Sequence, residues 1–292
     1  MTSAGNLPRM TLDHARWLDV AREAAAAAEA AVDTYAPGDR RGYTGETGAG
    51  GDRTLAIDAA AEEAIIGVLA KHAAAGLPCT VVSEERGEVD LGAPLPRILV
   101  DPIDGSLNAG RGPAGHHAVS IAIGSGPSVA DVEVGYVYDL STKQAWWAIA
   151  GGGAFQDGRR LGPQPERRHH DGRLELLAIE AADPELLAPA LPVLTDEVRR
   201  LRALGAIALS LCQLAAGAVD AMLTLGYCRP VDAAAAQLLV RESGGVLEWW
   251  PGEPLADVPL TCEPRSALVA ARTPEALAAL RAAVAHVVLP GA

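Results

Sequence analysis

Two carboxylates three residues apart, Asp101 and Asp104, stand in the stretch Asp101-Pro102-Ile103-Asp104-Gly105-Ser106-Leu107-Asn108. The apolar run before them, Ile98 to Val100, has the length and composition of a buried strand. Pro102 cannot donate to a ladder and holds Asp101 extended. Gly105 frees the backbone for close approach to a ligand. Two carboxylates beside exposed backbone N–H groups suit a divalent cation with hard oxygen ligands and a phosphate behind it. The same residues also make an ordinary Asp/Pro/Gly turn, so other acids must decide between the readings.

Three further acidic positions sit where elements are expected to end. Glu84-Glu85 follow Cys79–Ser83, a strand by composition. Asp58 opens a helix that runs to Ala75, with Ala61, Ile65, Val68 and Leu69 on one face. Asp232 precedes a helix expected over Ala233 to Glu242. Taken singly, the glutamates read as a solvated edge and Asp232 as a helix cap.

The elements that must position these acids fall into two blocks. A helix is expected from Leu12 to Tyr35, capped by Thr11 and stopped by Pro37-Gly38, with a mobile loop from Gly38 to Gly51. A β meander follows the acidic stretch, over 118–123, 132–138 and 144–150, with turns at 151–153 and 157–158. The polar segment 162–173, with a solvated His169-His170 pair, reads as a connection. It divides a 1–173 α+β subdomain from a 174–292 α/β subdomain that contributes Asp232. In the second block strands are expected over 174–179, at Arg202, and over 220–224, 246–250 and 266–271. Helices are expected over 185–194, 206–216 and 274–287. Blocks of strands and helices without strict βαβ alternation predict a layered α/β sandwich with mixed sheets.

At 292 residues and 49% hydrophobic, the chain can bury a large core. A net charge of −13 argues against a nucleic-acid partner bound through a basic surface. Four cysteines without CxxC spacing, and an N-terminus without an apolar leader, fit a reducing cytoplasm. The Ala-rich run near Ala24 to Ala31 is broken by Glu29, so no membrane span is expected.

Glu84-Glu85, then Asp101 to Asn108, then Val231-Asp232-Ala233-Ala234 ahead of Glu242-Ser243-Gly244-Gly245 together resemble the inositol monophosphatase family, over about Asp52 to Ala271. Ser106-Leu107-Asn108, Ser83-Glu84-Glu85, Arg229-Pro230-Val231-Asp232 and the Asp52, Thr54, Asp58 spacing resemble the archaeal-type branch acting on inositol phosphate and fructose bisphosphate. The resemblance implies a layered αβαβα sandwich of the sugar phosphatase type with mixed and antiparallel sheets. It implies hydrolysis of a small sugar or polyol phosphate, inositol 1-phosphate or fructose 1,6-bisphosphate, by water activated on Mg²⁺, with lithium sensitivity and a homodimer.

Residue by residue, Glu84, Asp101 and the Ile103 carbonyl resemble ligands of one Mg²⁺, and Asp101, Asp104 and Asp232 ligands of a second. A third ion would lean on Glu84, giving two to three per site. Asp58 and Ser106, with Glu84, resemble the groups that orient or deprotonate the water. The N–H groups of Gly105 and Ser106 resemble a phosphate cradle, and Arg202 and Arg229 resemble substrate contacts. Departures from the family pattern are Val231 in place of Trp, Leu225 in place of an inositol-binding acid, and His116-His117 in place of aromatics. The D-x-x-D spacing disfavours a haloacid-dehalogenase-type phosphatase, which needs D-x-D. A histidinol-phosphate or 3′-phosphoadenosine 5′-phosphate phosphatase, and a non-catalytic homologue, remain alternatives.

Overall fold

The computed structural model describes residues 10–36, 39, 42–49, 51, 53–112, 115–250 and 252–285. The helix stop expected at Pro37-Gly38, Asp52 of the acidic spacing, and the last residues of the final expected helix lie outside these.

Helix α1 spans His14–Val32, and its cap is Asp13 rather than Thr11. The Asp13 carboxylate, three residues back, accepts the Arg16 N–H at 3.2 Å. Part of the expected loop is instead paired. β1 (Tyr43–Thr47) runs antiparallel to β2 (Arg53–Leu55), with Tyr43 opposite Leu55. Arg53 lies 4.0 Å from the centre of the Tyr43 ring, a cation–π contact that ties the two strands. α2 follows over Ala56–Ala74, with Ala61, Ile65, Val68 and Leu69 buried.

β3 occupies Cys79–Ser83 as expected. The segment after it, β4 (Gly87–Asp104), is far longer than Ile98 to Val100 because it doubles back. Val89 and Glu88 pair with Val81 and Val82 in one direction, and Ile98 and Leu99 pair with the same two residues in the other. β3 is therefore flanked on both sides. The short helix α3 (Ser106–Ala109) leads to the meander: β5 (Ala118–Gly124), β6 (Val132–Asp139), β7 (Ala145–Ile149), β8 (Gly153–Gln156) and β9 (Arg159–Arg160). β3 to β9 form one seven-stranded sheet in chain order.

The second half supplies β10 (Leu174–Glu180), α4 (Pro184–Glu197), β11 (Val198–Arg202), α5 (Ile207–Ala215), β12 (Ala221–Thr224), α6 (Pro230–Glu242), β13 (Val246–Trp249), β14 (Leu268–Ala271) and α7 (Pro274–Val284). Its five strands run in the order β11-β10-β12-β14-β13, with β10 parallel to both neighbours and β14 antiparallel to both of its own.

Five layers result. α1 and α2 cover one face of the large sheet through Trp17, Ala24, Ile65, Leu69, Ile98 and Ile121. α5 and α6 fill the space between the sheets, where Leu211, Leu238 and Leu239 meet Leu99, Ala122 and Val137 on one side and Met222 and Ala270 on the other. α4 and α7 close the far face over Leu177, Leu194, Val269 and Leu280. This is the αβαβα sandwich that the resemblance implies. All four cysteines are buried and free. Among the described residues, no helix is long and apolar enough to cross a membrane.

α6 is buried along most of its length, and a run of four alanines, Ala233 to Ala236, lets it lie close to the large sheet. A Cβ on Gly135 of β6 would stand 2.4 Å from the Ala235 carbonyl oxygen. Gly135→Ala must push helix and sheet apart, and should lower stability by about 1–3 kcal/mol, as overpacked cores do. Urea unfolding of this variant checks the contact; wild-type stability would show that the layers have slack.

Candidate active site

β3 releases the chain at Glu84, and Glu62 fixes the turn that follows by accepting the Arg86 N–H at 2.9 Å. Beyond Asp101, which pairs with Ser120, the β4 ladder breaks and resumes only at Asp104 opposite Ala118. Pro102, lacking an N–H, sits in that gap. The Ile103 N–H turns back to the Asp101 carboxylate at 3.0 Å, and the Ile103 carbonyl accepts the Ser106 hydroxyl at 2.8 Å. From the second half, α6 brings Asp232. The helix starts at Pro230, so Asp232 lies inside its first turn rather than ahead of it. Pro fits the first helical position, and the Asp232 carboxylate accepts the Arg229 N–H at 2.7 Å. Carboxylate oxygens of Glu84, Asp101 and Asp232 lie within 4.8 Å of one another.

Asp104 stands beside this trio and faces α5. Its two oxygens accept the N–H groups of Ile207 at 2.8 Å, Ala208 at 2.9 Å and Leu209 at 3.4 Å, the open donors at the start of that helix. Gly105 has φ +90°, and a Cβ there would meet the His116 carbonyl oxygen at 2.8 Å, so only glycine fits the turn. Asp58 lies in the first turn of α2, where the nearby Ser106 side chain and Leu55 backbone favour its charged form against burial. Its Oδ1 is buried without a hydrogen-bond partner.

Arg229 is buried with the acids. Its Nη2 lies 2.6 Å from Glu84 and 2.8 Å from Asp232. Arg202 does not join them. It is exposed on the edge strand β11, donates to the Leu201 carbonyl, and lines a separate depression with Arg167, Arg200 and Asp220. His116 turns toward Asp139, 3.7 Å away, and His117 is buried against the Gly115 carbonyl. A cavity of about 450 Å³ opens over Glu84, Asp101, Asp104, Gly105, Ser106, Arg229 and Asp232.

Glu180 also lines this cavity, and sequence reasoning missed it. The carboxylate accepts the N–H groups of Leu204 at 2.9 Å and Gly205 at 2.8 Å, and the Ser210 hydroxyl at 2.6 Å. The signal was present: Glu180 closes an apolar strand as Glu84 does. Tyr227, at the rim, carried no such signal.

Burial lifts Asp58, reinforced by Glu85 and Glu84, to about 8. Burial likewise lifts Glu84 to about 7, with Arg229 pulling it down and Asp232 pushing it up. Asp101 and Asp104 are held well above the usual carboxylate range by burial and then by neighbouring acids. For Asp104 the α5 N–H groups act in the opposite direction. Converging, desolvated, hard oxygen donors with raised proton affinity are the donor set a small divalent cation satisfies. The residues fit such an ion.

A layered α/β sandwich with a buried carboxylate cluster at the sheet ends defines a protein with the donor set of a divalent-cation site. Residues 13–288 match the model of the inositol monophosphatase family. A fructose-1,6-bisphosphatase/inositol-1-monophosphatase of Methanothermobacter thermautotrophicus is 32% identical over 266 residues, 87% of this chain and 91% of that one. Nus factor SuhB of Escherichia coli K12 is 33% identical over 200 residues, 67% of this chain and 71% of that one. The structure superposes on the extragenic suppressor protein suhB of Bartonella henselae with a TM-score of 0.75 and 26% identity, covering 93% of this chain and 99% of that one. A Pyrococcus horikoshii protein with similarities to inositol-1 monophosphatase gives 0.74 at 24% identity, over 93% and 99%. The chain belongs to the inositol monophosphatase family and is a phosphoric monoester hydrolase.

The raised carboxylates set a pH dependence. Asp58 and Glu84 rise from ordinary values of 3.8 and 4.5 to about 8 and 7, so the ion-free fold keeps protons that the unfolded chain has released. Their contribution is complete below about pH 4 and is lost as pH rises through 7 to 8. Thermal unfolding of chelator-stripped protein should show the midpoint falling across that window, and divalent cation should remove the fall. A flat ion-free profile would mean that these groups are not desolvated as described.

Proposed function

We propose that this chain hydrolyses the phosphate monoester of a small sugar or polyol, inositol 1-phosphate or fructose 1,6-bisphosphate, with Mg²⁺ as its ion. The observation that carries this reading is the convergence of Glu84, Asp101 and Asp232 within 4.8 Å beneath a cavity of about 450 Å³, large enough for a sugar phosphate. Glu84, Asp101, the Ile103 carbonyl, Asp104 and Asp232 would hold two to three ions. Bound there, Mg²⁺ supplies Lewis-acid polarisation of the phosphate and makes water more acidic.

The chain's own groups do the rest. Gly105 and Ser106 present backbone N–H groups to phosphate oxygens at the start of α3. Ser106, anchored on the Ile103 carbonyl, and Asp58, whose Oδ1 has no other partner, orient the attacking water and receive its proton. Substrate contact falls to Arg229 and the cavity wall formed by Ala203, Gly205 and Ile207; Arg202 faces elsewhere. A phosphatase of this kind with a net charge of −13 takes no nucleic acid through a basic surface. Lithium inhibition and a homodimer belong to the same reading and rest on the family resemblance, a cytoplasmic location rests on the cysteine pattern, and a division into functional halves at 173/174 rests on the polar segment 162–173.

Phosphate release tests the reading, with Mg²⁺ and with and without lithium, across inositol 1-phosphate, fructose 1,6-bisphosphate, histidinol phosphate and 3′-phosphoadenosine 5′-phosphate. Metal-dependent, lithium-sensitive turnover of a sugar or polyol phosphate is expected. Ser106→Ala should retain the fold and lose roughly 10²-fold or more in kcat, the scale of a positioned proton-transfer group. Asp101→Asn should lose more. Asp104→Asn should lose both turnover and thermal stability, because one acceptor facing the α5 N–H groups becomes a donor. Full activity of Asp101→Asn would break the proposed metal site.

A further inference from the structure

The geometry points to Arg229 as a built-in counter-cation that occupies the acidic site when no divalent ion is bound and competes with the first ion to enter. This rests on the metal-site reading above and concerns the regulation of that same site. The guanidinium is buried, and one nitrogen, Nη2, sits 2.6 Å from Glu84 and 2.8 Å from Asp232. Nε lies 3.1 Å and 3.2 Å from the two Asp232 oxygens. Two of the three carboxylates that converge within 4.8 Å are thus bridged by one side chain, and they come from different halves of the chain.

Chemistry makes the two cations competitors. Guanidinium N–H groups take up the same carboxylate lone pairs that an ion needs, and an arginine cannot step aside by losing its proton. Burial by itself disfavours the charged guanidinium, yet Asp232 and then Glu84 hold it charged more firmly than a free arginine. A divalent ion on those oxygens would compete with the guanidinium for them and set a like charge beside it. The guanidinium also borders the cavity, where an anionic substrate would meet it. Ion entry and phosphate binding become coupled through one residue. A clasp closed about nine-tenths of the time would weaken the apparent affinity for the ion about tenfold.

The test is Mg²⁺ binding by titration calorimetry, without substrate, on the wild type, Arg229→Gln, Arg229→Lys and Asp101→Asn. Thermal unfolding of each is read with and without chelator. Arg229→Gln should bind Mg²⁺ about tenfold more tightly and unfold at a lower temperature when ion-free, with Mg²⁺ restoring most of the loss. Arg229→Lys, which keeps one charge without the fork, should fall between and guards against a Gln variant that does not fold. Unchanged or weaker binding in both folded Arg229 variants, while Asp101→Asn still abolishes binding, overturns the competition and leaves the metal site standing. Absence of binding in the wild type overturns both.

Discussion

Removing carboxylates from water and setting them side by side is opposed twice, by desolvation and by mutual repulsion. Glu84, Asp101, Asp104 and Asp232 face both penalties, and the surrounding structure answers each acid differently. Asp104 receives three N–H groups and the positive end of α5. Asp232 receives the Arg229 backbone N–H as well as its guanidinium. Glu84 shares that guanidinium. Asp101 is buried and takes one N–H, from Ile103, with Arg229 favouring its charge through space. The least compensated acid is the one near the end of β4. An added cation gains most there, and that orders the rest of the site around it.

The layering follows from this requirement. α5 and α6 form the middle layer, and both point their N-terminal ends at the acids. A helix on an outer face could not bring its N-terminal donors between the two sheets. The spacing between Asp101 on the large sheet and Asp232 on α6 is then a packing distance, fixed where Gly135 meets Ala235. Small residues along Ala233 to Ala236 are part of the site in this sense, although none carries a reactive group.

Much of this was legible in the sequence, for identifiable reasons. Ile98 to Val100 is apolar on every residue and ends in Asp-Pro, so both the strand and the exit of its carboxylate could be read locally. β3 and the meander strands carried the same kind of signal. The first limb of β4 did not, because Glu88, Val89, Asp90 and Leu91 alternate only half-buried and owe their pairing to β3. β1 was hidden in Gly- and Thr-rich sequence whose partner lies across a turn. Side-chain destinations were least legible. Arg202 and Arg229 look alike beside a glycine-rich or proline-containing turn, yet one hangs from an edge strand and the other is drawn inward by acids from two halves of the chain. No local pattern separates them.

The wall opposite the acids is backbone held in place from two sides. The loop between β11 and α5 is held from below by Glu180, through the Leu204 and Gly205 N–H groups. From the side, the Asn108 amide donates to the Leu204 carbonyl at 2.7 Å and the His116 carbonyl at 2.8 Å. Gly105 and Gly205 face each other closely enough that a Cβ on Gly105 would stand 3.1 Å from the Gly205 oxygen. Donors and acceptors of that loop are both claimed, so its backbone cannot shift to suit a ligand without breaking buried hydrogen bonds. The turn at Gly105 and the wall above it are one interlocked unit. On the proposed reading, a phosphate ester entering the cavity would meet the fixed shape of that wall and the Arg229 guanidinium held by Glu84 and Asp232.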